Sequence, residues 1–252
     1  AWMARGAGLR AVGSVDHDSI AAAPETIEAC KLLGIGSTVG CEVRVNFTGT
    51  PIEGRMINNP DSPNLAYMVF HGVPANRVEQ VDGFLAPIRE RRNERNRLQT
   101  QAMSRLLEEA GAPAVSFDDV VALSMAGEGG GITERHILYA ASRSLMEWLQ
   151  PGPPVSRFVE EHLTGSLPER LRGFLDDPSN PHYAYDLLGA MKSSFLPRFF
   201  IQPTEAECIP VAEAVGFANS IEAIPAYAYL GDIEDSPTGD KKAAKFEDDY
   251  LD

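Results

Sequence analysis

Residues 9 to 47 read as a strand, a helix and a second strand, and that order commits the chain to a sheet with parallel neighbours. A helix between two strands returns the chain to the end of the sheet it started from, so both strands run the same way. Leu9 to Val15 forms the first strand. Pro24 suits the first turn of the helix, where its missing N–H costs nothing. Ile27, Cys30 and Leu33 recur on one face, and Gly34 stands where the helix ends. The second strand covers Ser37 to Phe47. Asp16-His17-Asp18 follows the first strand directly, and Cys41-Glu42 lies early in the second. With neighbouring strands roughly 4.8 Å apart, His17 and Glu42 face one site at the same end of the sheet.

A turn-rich stretch from Thr48 to Pro63 separates this unit from another apolar strand, Leu65 to His71. From Val81 the periodicity turns helical and stays so for more than a hundred residues. The expected division is therefore 1–80 as the first part of a sheet domain, 81–203 as a helical insertion and 204–252 as the return to the sheet. The first inserted helix carries Arg89, Arg91, Arg92, Arg95 and Arg97 and ends at Gly111 and Pro113. Such a run reads as a solvated face paired with Glu90 and Glu94, with a positive rim for a substrate as the alternative. Ser116 with Asp119 opens the next helix, and Thr133 caps one that runs to Leu149. Pro151, Pro153 and Pro154 form a break, and further helices occupy 155–195. Thr204 with Glu207 reads as a capping box opening a helix that ends at Gly216, ahead of a strand from Ile221 to Ala226. Both ends, Ala1-Trp2-Met3 and Tyr250-Leu251-Asp252 in a charged helix after Pro237, are expected to be internal to a longer protein.

At 252 residues and 44% apolar composition the chain is long enough to bury a core in each part. A formal net charge of −14 excludes the broad basic surface that long nucleic acid requires, while leaving room for a local basic patch. Cys30, Cys41 and Cys208 form no C-x-x-C pair and read as reduced, buried thiols. No apolar run is long enough for a membrane span and no signal peptide is recognisable, so a cytoplasmic protein without a membrane partner is expected. Oligomeric state is not legible.

An imidazole and a carboxylate can share a divalent ion, and that donor pair suits zinc, manganese or iron. Such an ion polarises a phosphate and lowers the pKa of a water nucleophile. On spacing alone an alternative stays open, in which Asp16 and Asp18 shape a turn and His17 is a satisfied surface histidine. The second candidate segment is Gly127-Glu128-Gly129-Gly130-Gly131-Ile132-Thr133-Glu134-Arg135-His136. With Thr133 as N-cap, Arg135 and His136 lie in the first helical turn beside free N–H groups, where an anion is favoured. A glycine linker leading into an ordinary capped helix is the plain alternative.

Gly8-Leu9-Arg10-Ala11-Val12-Gly13-Ser14-Val15-Asp16-His17-Asp18-Ser19, followed by Gly40-Cys41-Glu42-Val43, resembles two conserved blocks of the polymerase and histidinol phosphatase (PHP) family, in which a strand ends in a D-H-D turn and the next carries G-x-E. The resemblance implies an α/β fold, a partial distorted (β/α)7 barrel with a large helical insertion. It implies that His17 and Glu42 are metal ligands, with Glu42 bridging ions, and that Asp16 and Asp18 orient the cluster as the candidate catalytic carboxylates. It also implies divalent ions (manganese, zinc or iron), up to three in the complete protein. The family's next ligand is a histidine on the following strand; His71 is the candidate, with Tyr67 as the alternative occupant and a structural histidine as the alternative role for His71. The family's A-H-P block falls near Ile224-Pro225-Ala226-Tyr227, so Tyr227 stands where a histidine is expected. Arg135 and His136 approximate a helix start that lies near the substrate phosphate in family members acting on nucleoside monophosphates. Sharp motif agreement covers 8–47 and 127–137.

The resulting expectation is a metal-dependent phosphoesterase hydrolysing a small phosphate ester, a nucleoside monophosphate or short oligonucleotide. The rival is a noncatalytic metal- or ligand-binding regulatory module of the same fold.

Overall fold

A computed structural model of the chain describes residues 1–55 and 63–229. The charged segment after Pro237 lies outside the described residues. A short helix α1 (Trp2–Gly6) precedes the strand–helix–strand unit, which consists of β1 (Ala11–His17), α2 (Ala23–Leu33) and β2 (Gly36–Asn46). Pro24 occupies the first turn of α2, and Gly34 leaves it in the left-handed region at φ 63°, a conformation that costs glycine nothing. The two strands pair in parallel, with His17 directly opposite Glu42. Next comes β3 (Leu65–His71), which turns back and pairs antiparallel with β2, setting Glu42 opposite Val69 and Arg44 opposite Tyr67.

The helical segment contains α3 (Val78–Glu109), α4 (Phe117–Ala122), α5 (Glu134–Leu149), α6 (Pro153–Phe158), α7 (Glu169–Asp176) and α8 (Tyr183–Ser194). The chain then supplies a two-residue strand β4 (Ile209–Pro210), helix α9 (Val211–Ser220) and β5 (Ile224–Tyr227). Among the described residues the sheet runs β1-β2-β3-β5, with β4 pairing in parallel to the far end of β2. It is open, with β1 and β5 at its ends, so the described residues do not close the barrel of which a part was expected. Five strands, two of whose pairings are antiparallel, do not supply the strand number and common tilt that closure of a parallel barrel requires.

The chain divides into two compact units: residues 1–91, 128–131 and the described residues from 203 onward in one, 92–127 and 132–202 in the other. In the sheet unit, alternation along β2 and β3 sends Val39, Cys41, Val43, Met68 and Phe70 to one buried face. Helix α9 adds Ala214 and Ala218, and Phe217 stacks on Phe84 at 3.7 Å. Burying a side chain such as Phe70 contributes about 1.5–3 kcal/mol. In the helical unit α5 buries Ile137, Leu138, Ala141 and Leu145, the period of one helical face, among residues that include Leu187, Ala190 and Met191 of α8. A buried polar chain runs through this core: Asn96 donates to the Ile132 carbonyl, Gln99 donates to Asn96, and the Ile201 N–H donates to Gln99. None of the helices among the described residues is long and apolar enough to cross a membrane.

Two local expectations need correction. Thr204 and Glu207 do not open a long helix: they bound a single 3-10 turn, after which Pro210 interrupts and α9 starts, running past Gly216 to Ser220. The residue before a proline is pushed to extended backbone, so Ile209 becomes a strand residue. The arginines of α3 are a solvated face only in part, with Arg91 and Arg97 exposed. Arg92 and Arg95 are buried, Arg95 donates to the Ile201 carbonyl, and Arg97 lies over the Phe117 ring at 4.6 Å.

Candidate functional site

The parallel register that sets His17 opposite Glu42 brings their side chains together, with His17 Nδ1 3.0 Å from Glu42 Oε1. Nδ1–H donating to the carboxylate leaves Nε2 as the ring's acceptor, the arrangement in which a carboxylate orients a histidine for a metal or a proton. The histidine side chain is 62% exposed and the carboxylate 23%, so the pair opens to solvent while its base is fixed in the sheet.

The turn after β1 is held from several sides. Asp18 adopts φ 52°, unusual for a residue with a side chain, and is only 4% exposed; its N–H donates to the Glu42 carbonyl at 2.8 Å. Arg89 donates to the Asp18 carbonyl and forms an ion pair with Asp82 at 2.7 Å. Ser19 Oγ donates to the Gly129 carbonyl, so the glycine-rich segment packs against this turn, and Gly129 takes φ 85° to do so. Asp16, opposite Cys41, is exposed. The two aspartates of the D-H-D turn thus differ in setting: Asp18 is buried in the turn and Asp16 faces water.

Beyond Glu42 on the same face of β2 stands Arg44, a residue the sequence reading left unassigned. Its NH2 donates to the Tyr67 hydroxyl at 3.4 Å, its guanidinium lies 5.6 Å from the Tyr67 ring, and its closest approach to Glu207 is 4.0 Å. Burial opposes the charge on Arg44, but Tyr67, Cys208 and Asp18 outweigh it and raise the pKa. The Tyr67 ring in turn meets the His17 ring edge to face at 6.1 Å. Burial first, then Asp18, pushes the Cys41 thiol up to about 12; burial does the same for Cys208, partly offset by Arg44. These thiols are inert packing groups at neutral pH. A charged residue at an alternate position of an apolar strand was the available signal for Arg44.

His71 lies at the exposed end of β3, opposite Ile224, two residues beyond the partner of Glu42. Tyr67 is the β3 side chain in contact with His17. Tyr227 pairs with Met68 and packs with the sheet core, which puts it on the face opposite Glu42.

In the helical unit, Thr133 is the N-cap of α5 with extended backbone, and its N–H donates to His136 Nδ1 at 3.1 Å. Burial lowers the His136 pKa; Glu134 works against the shift and Arg92 adds to it. The ring is therefore neutral with Nε2 as its N–H donor. Arg135 is exposed in the same turn.

Imidazole and carboxylate are the right kinds of donor for the divalent ions that the PHP resemblance implies, but their number falls short. Among the described residues no group of three histidine, cysteine, aspartate or glutamate side chains could hold a metal.

No family profile matches the chain, and no curated protein matches it. Among solved structures, a protein described as a metal-dependent phosphoesterase from Bifidobacterium adolescentis superposes with a TM-score of 0.54 at 19% identity, over 99% of this chain and 65% of its own. An amidohydrolase from Chromobacterium violaceum with bound sulfate and no metal superposes with a TM-score of 0.49 at 19% identity, over 93% of this chain and 62% of its own. The chain thus spans less than two thirds of the length of either protein, and at this identity the first likeness is one of fold.

Proposed function

We propose that the chain belongs to a metal-dependent phosphoesterase that hydrolyses a small phosphate ester, a nucleoside monophosphate or a short oligonucleotide. The observation that carries the reading is the His17–Glu42 pair at the ends of two parallel strands, joined at 3.0 Å in the setting that resembles the PHP blocks. His17 and Glu42 would supply part of the coordination of a divalent ion, which would polarise a phosphoryl oxygen and acidify a bound water. In this reading Glu42 sets the orientation of His17 and His17 offers Nε2. Asp18 holds the turn that presents them. In the helical unit, Arg135 by charge and the Nε2–H of neutral His136 as a neutral donor are the groups that the resemblance offers to a phosphate. The expected substrate is small because the acidic chain offers no broad basic track.

The test is metal analysis together with phosphatase assay against nucleoside monophosphates, on wild type, Glu42→Ala and Arg135→Ala. The glutamate variant should lose metal; the arginine variant should keep metal and lose substrate affinity or turnover. Equal metal loss in both, or undiminished activity in the arginine variant, would return residues 127–136 to a linker and a capped helix. A second reading, a binding module without turnover, draws support from Tyr67 against His17 and from Tyr227 on the opposite face. Tight metal binding without hydrolysis would favour it.

A further inference from the structure

We propose that Arg44 is an anion-binding residue that receives the oxyanion of a phosphate ester on the sheet face carrying His17 and Glu42. Three observations converge on it. Arg44 is the single lysine or arginine in the described strands, and strand alternation places it on the Glu42 face, opposite Tyr67. Its side chain is only 11% exposed, yet its polar contacts are long and its Nε has none among the described residues. A guanidinium carries five N–H donors in a rigid fork; here one makes a long bond of 3.4 Å to a phenol, the nearest Glu207 oxygen is 4.0 Å away, and Nε has no hydrogen-bond partner among the described residues. The charge itself is favoured by its neighbours, but a buried N–H left without an acceptor is unfavourable unless a further partner arrives.

Arg89, on the same unit, shows the contrast. It is committed to the Asp82 carboxylate at 2.7 Å and to two backbone carbonyls. Arg44 is held more loosely, by the Tyr67 hydroxyl at 3.4 Å and Glu207 at 4.0 Å, and a tetrahedral oxyanion presents two oxygens at the spacing of the guanidinium fork. Tyr67 touches both His17 and Arg44, so an anion reaching the guanidinium displaces or shares the Tyr67 hydroxyl. In a chain of net charge −14, a local cation of this kind is what lets an anion approach a carboxylate-bearing face. The inference rests on the phosphoesterase reading only for the class of anion.

The test is calorimetric titration of the whole chain with inorganic phosphate at low ionic strength, on wild type, Arg44→Gln, Arg44→Lys and Tyr67→Phe. Circular dichroism checks folding, and metal content is measured on each preparation. Wild type should bind phosphate saturably. Arg44→Gln should weaken binding by about tenfold or more, while Arg44→Lys, which keeps the charge and loses the fork, should weaken it several-fold, each with metal content unchanged. Tyr67→Phe should have the smallest effect. No saturable binding by wild type, or equal affinity in a folded Arg44→Gln, overturns the proposal. Should the glutamine variant fail to fold, unchanged affinity in Arg44→Lys overturns it equally. A wild type that holds no metal yet binds phosphate, with that binding lost in Arg44→Gln, sinks the metal-dependent reading and leaves this one standing.

Discussion

Replacing Gly40 by alanine sets a methyl group against backbone that cannot rotate away. Gly40 lies two residues before Glu42 on β2, and a Cβ built there falls far inside contact distance of the Phe70 carbonyl oxygen, 3.2 Å from its carbonyl carbon and 3.5 Å from the His71 Cα. Relief requires β2 and β3 to separate along the register that positions Glu42 beside His17. Overpacking costs about 1–3 kcal/mol where side chains can repack, and a clash of backbone against a new methyl belongs at the upper end. For a chain of this size about 3 kcal/mol lowers the thermal midpoint by about 6–12 °C. Gly83 is the internal control: it is exposed inside α3, and a Cβ there meets nothing within 4 Å. Gly83→Ala should therefore stabilise by about 0.5–1 kcal/mol through the unfolded chain and helix propensity. Urea and thermal unfolding of the two variants, followed by circular dichroism, provide the comparison. Two alanine variants that shift the midpoint alike, or a Gly40→Ala within about 0.5 kcal/mol of wild type, an ordinary surface effect, would refute the close approach of β2 and β3.

Three further outcomes follow. The neutral His136 has a folded-state pKa below its ordinary 6.5, so on acidification the unfolded chain takes the proton first. Its contribution to stability is complete above that value and is lost as pH falls toward the folded-state pKa; His136→Gln should flatten the dependence of the urea midpoint between neutral and mildly acidic pH. Ser116→Ala removes a capping box in which Ser116 and Asp119 bond each other's backbone N–H, and should cost about 1 kcal/mol by urea titration. The three buried thiols should resist a thiol-specific reagent in the native state and react fully in denaturant; fast native labelling of Cys41 or Cys208 would contradict their burial.

Local signals were the readable part of this sequence. Gly34 and Thr133 mark helix ends because each solves a problem confined to a few residues: a left-handed exit in one case, unpaired N–H groups in the other. The run Leu65 to His71 emerged as a strand with those same bounds. The meeting of His17 and Glu42 was legible because a crossover helix dictates parallel strands. Which strands β4 and β5 would join was not legible, since pairing between distant segments leaves no local trace. The arginines of α3 misled because charge pattern alone does not distinguish a guanidinium in water from one holding a carbonyl, as Arg95 holds Ile201. Thr204 and Glu207 matched a helix start, and Pro210 overruled it. Glu207, read as a capping residue, is buried near Arg44 instead.

The pairing of β2 with β4 has a consequence for the order in which the molecule assembles. Val45 and Asn46 find Ile209 and Pro210 more than a hundred residues later in the chain, whereas the helical unit is drawn almost entirely from one continuous stretch. Contacts between near neighbours in sequence form fast, and those that close long loops must first overcome the entropy of closure. The helices between 92 and 202 can thus consolidate on their own schedule, while β2 waits with part of one edge unpaired. During that wait Val45, fully buried at the end, is exposed on a strand of high β-propensity. The stage at which this chain is most vulnerable to sticking to a copy of itself is therefore the interval before residues 209–227 arrive, and anything that slows their arrival lengthens it.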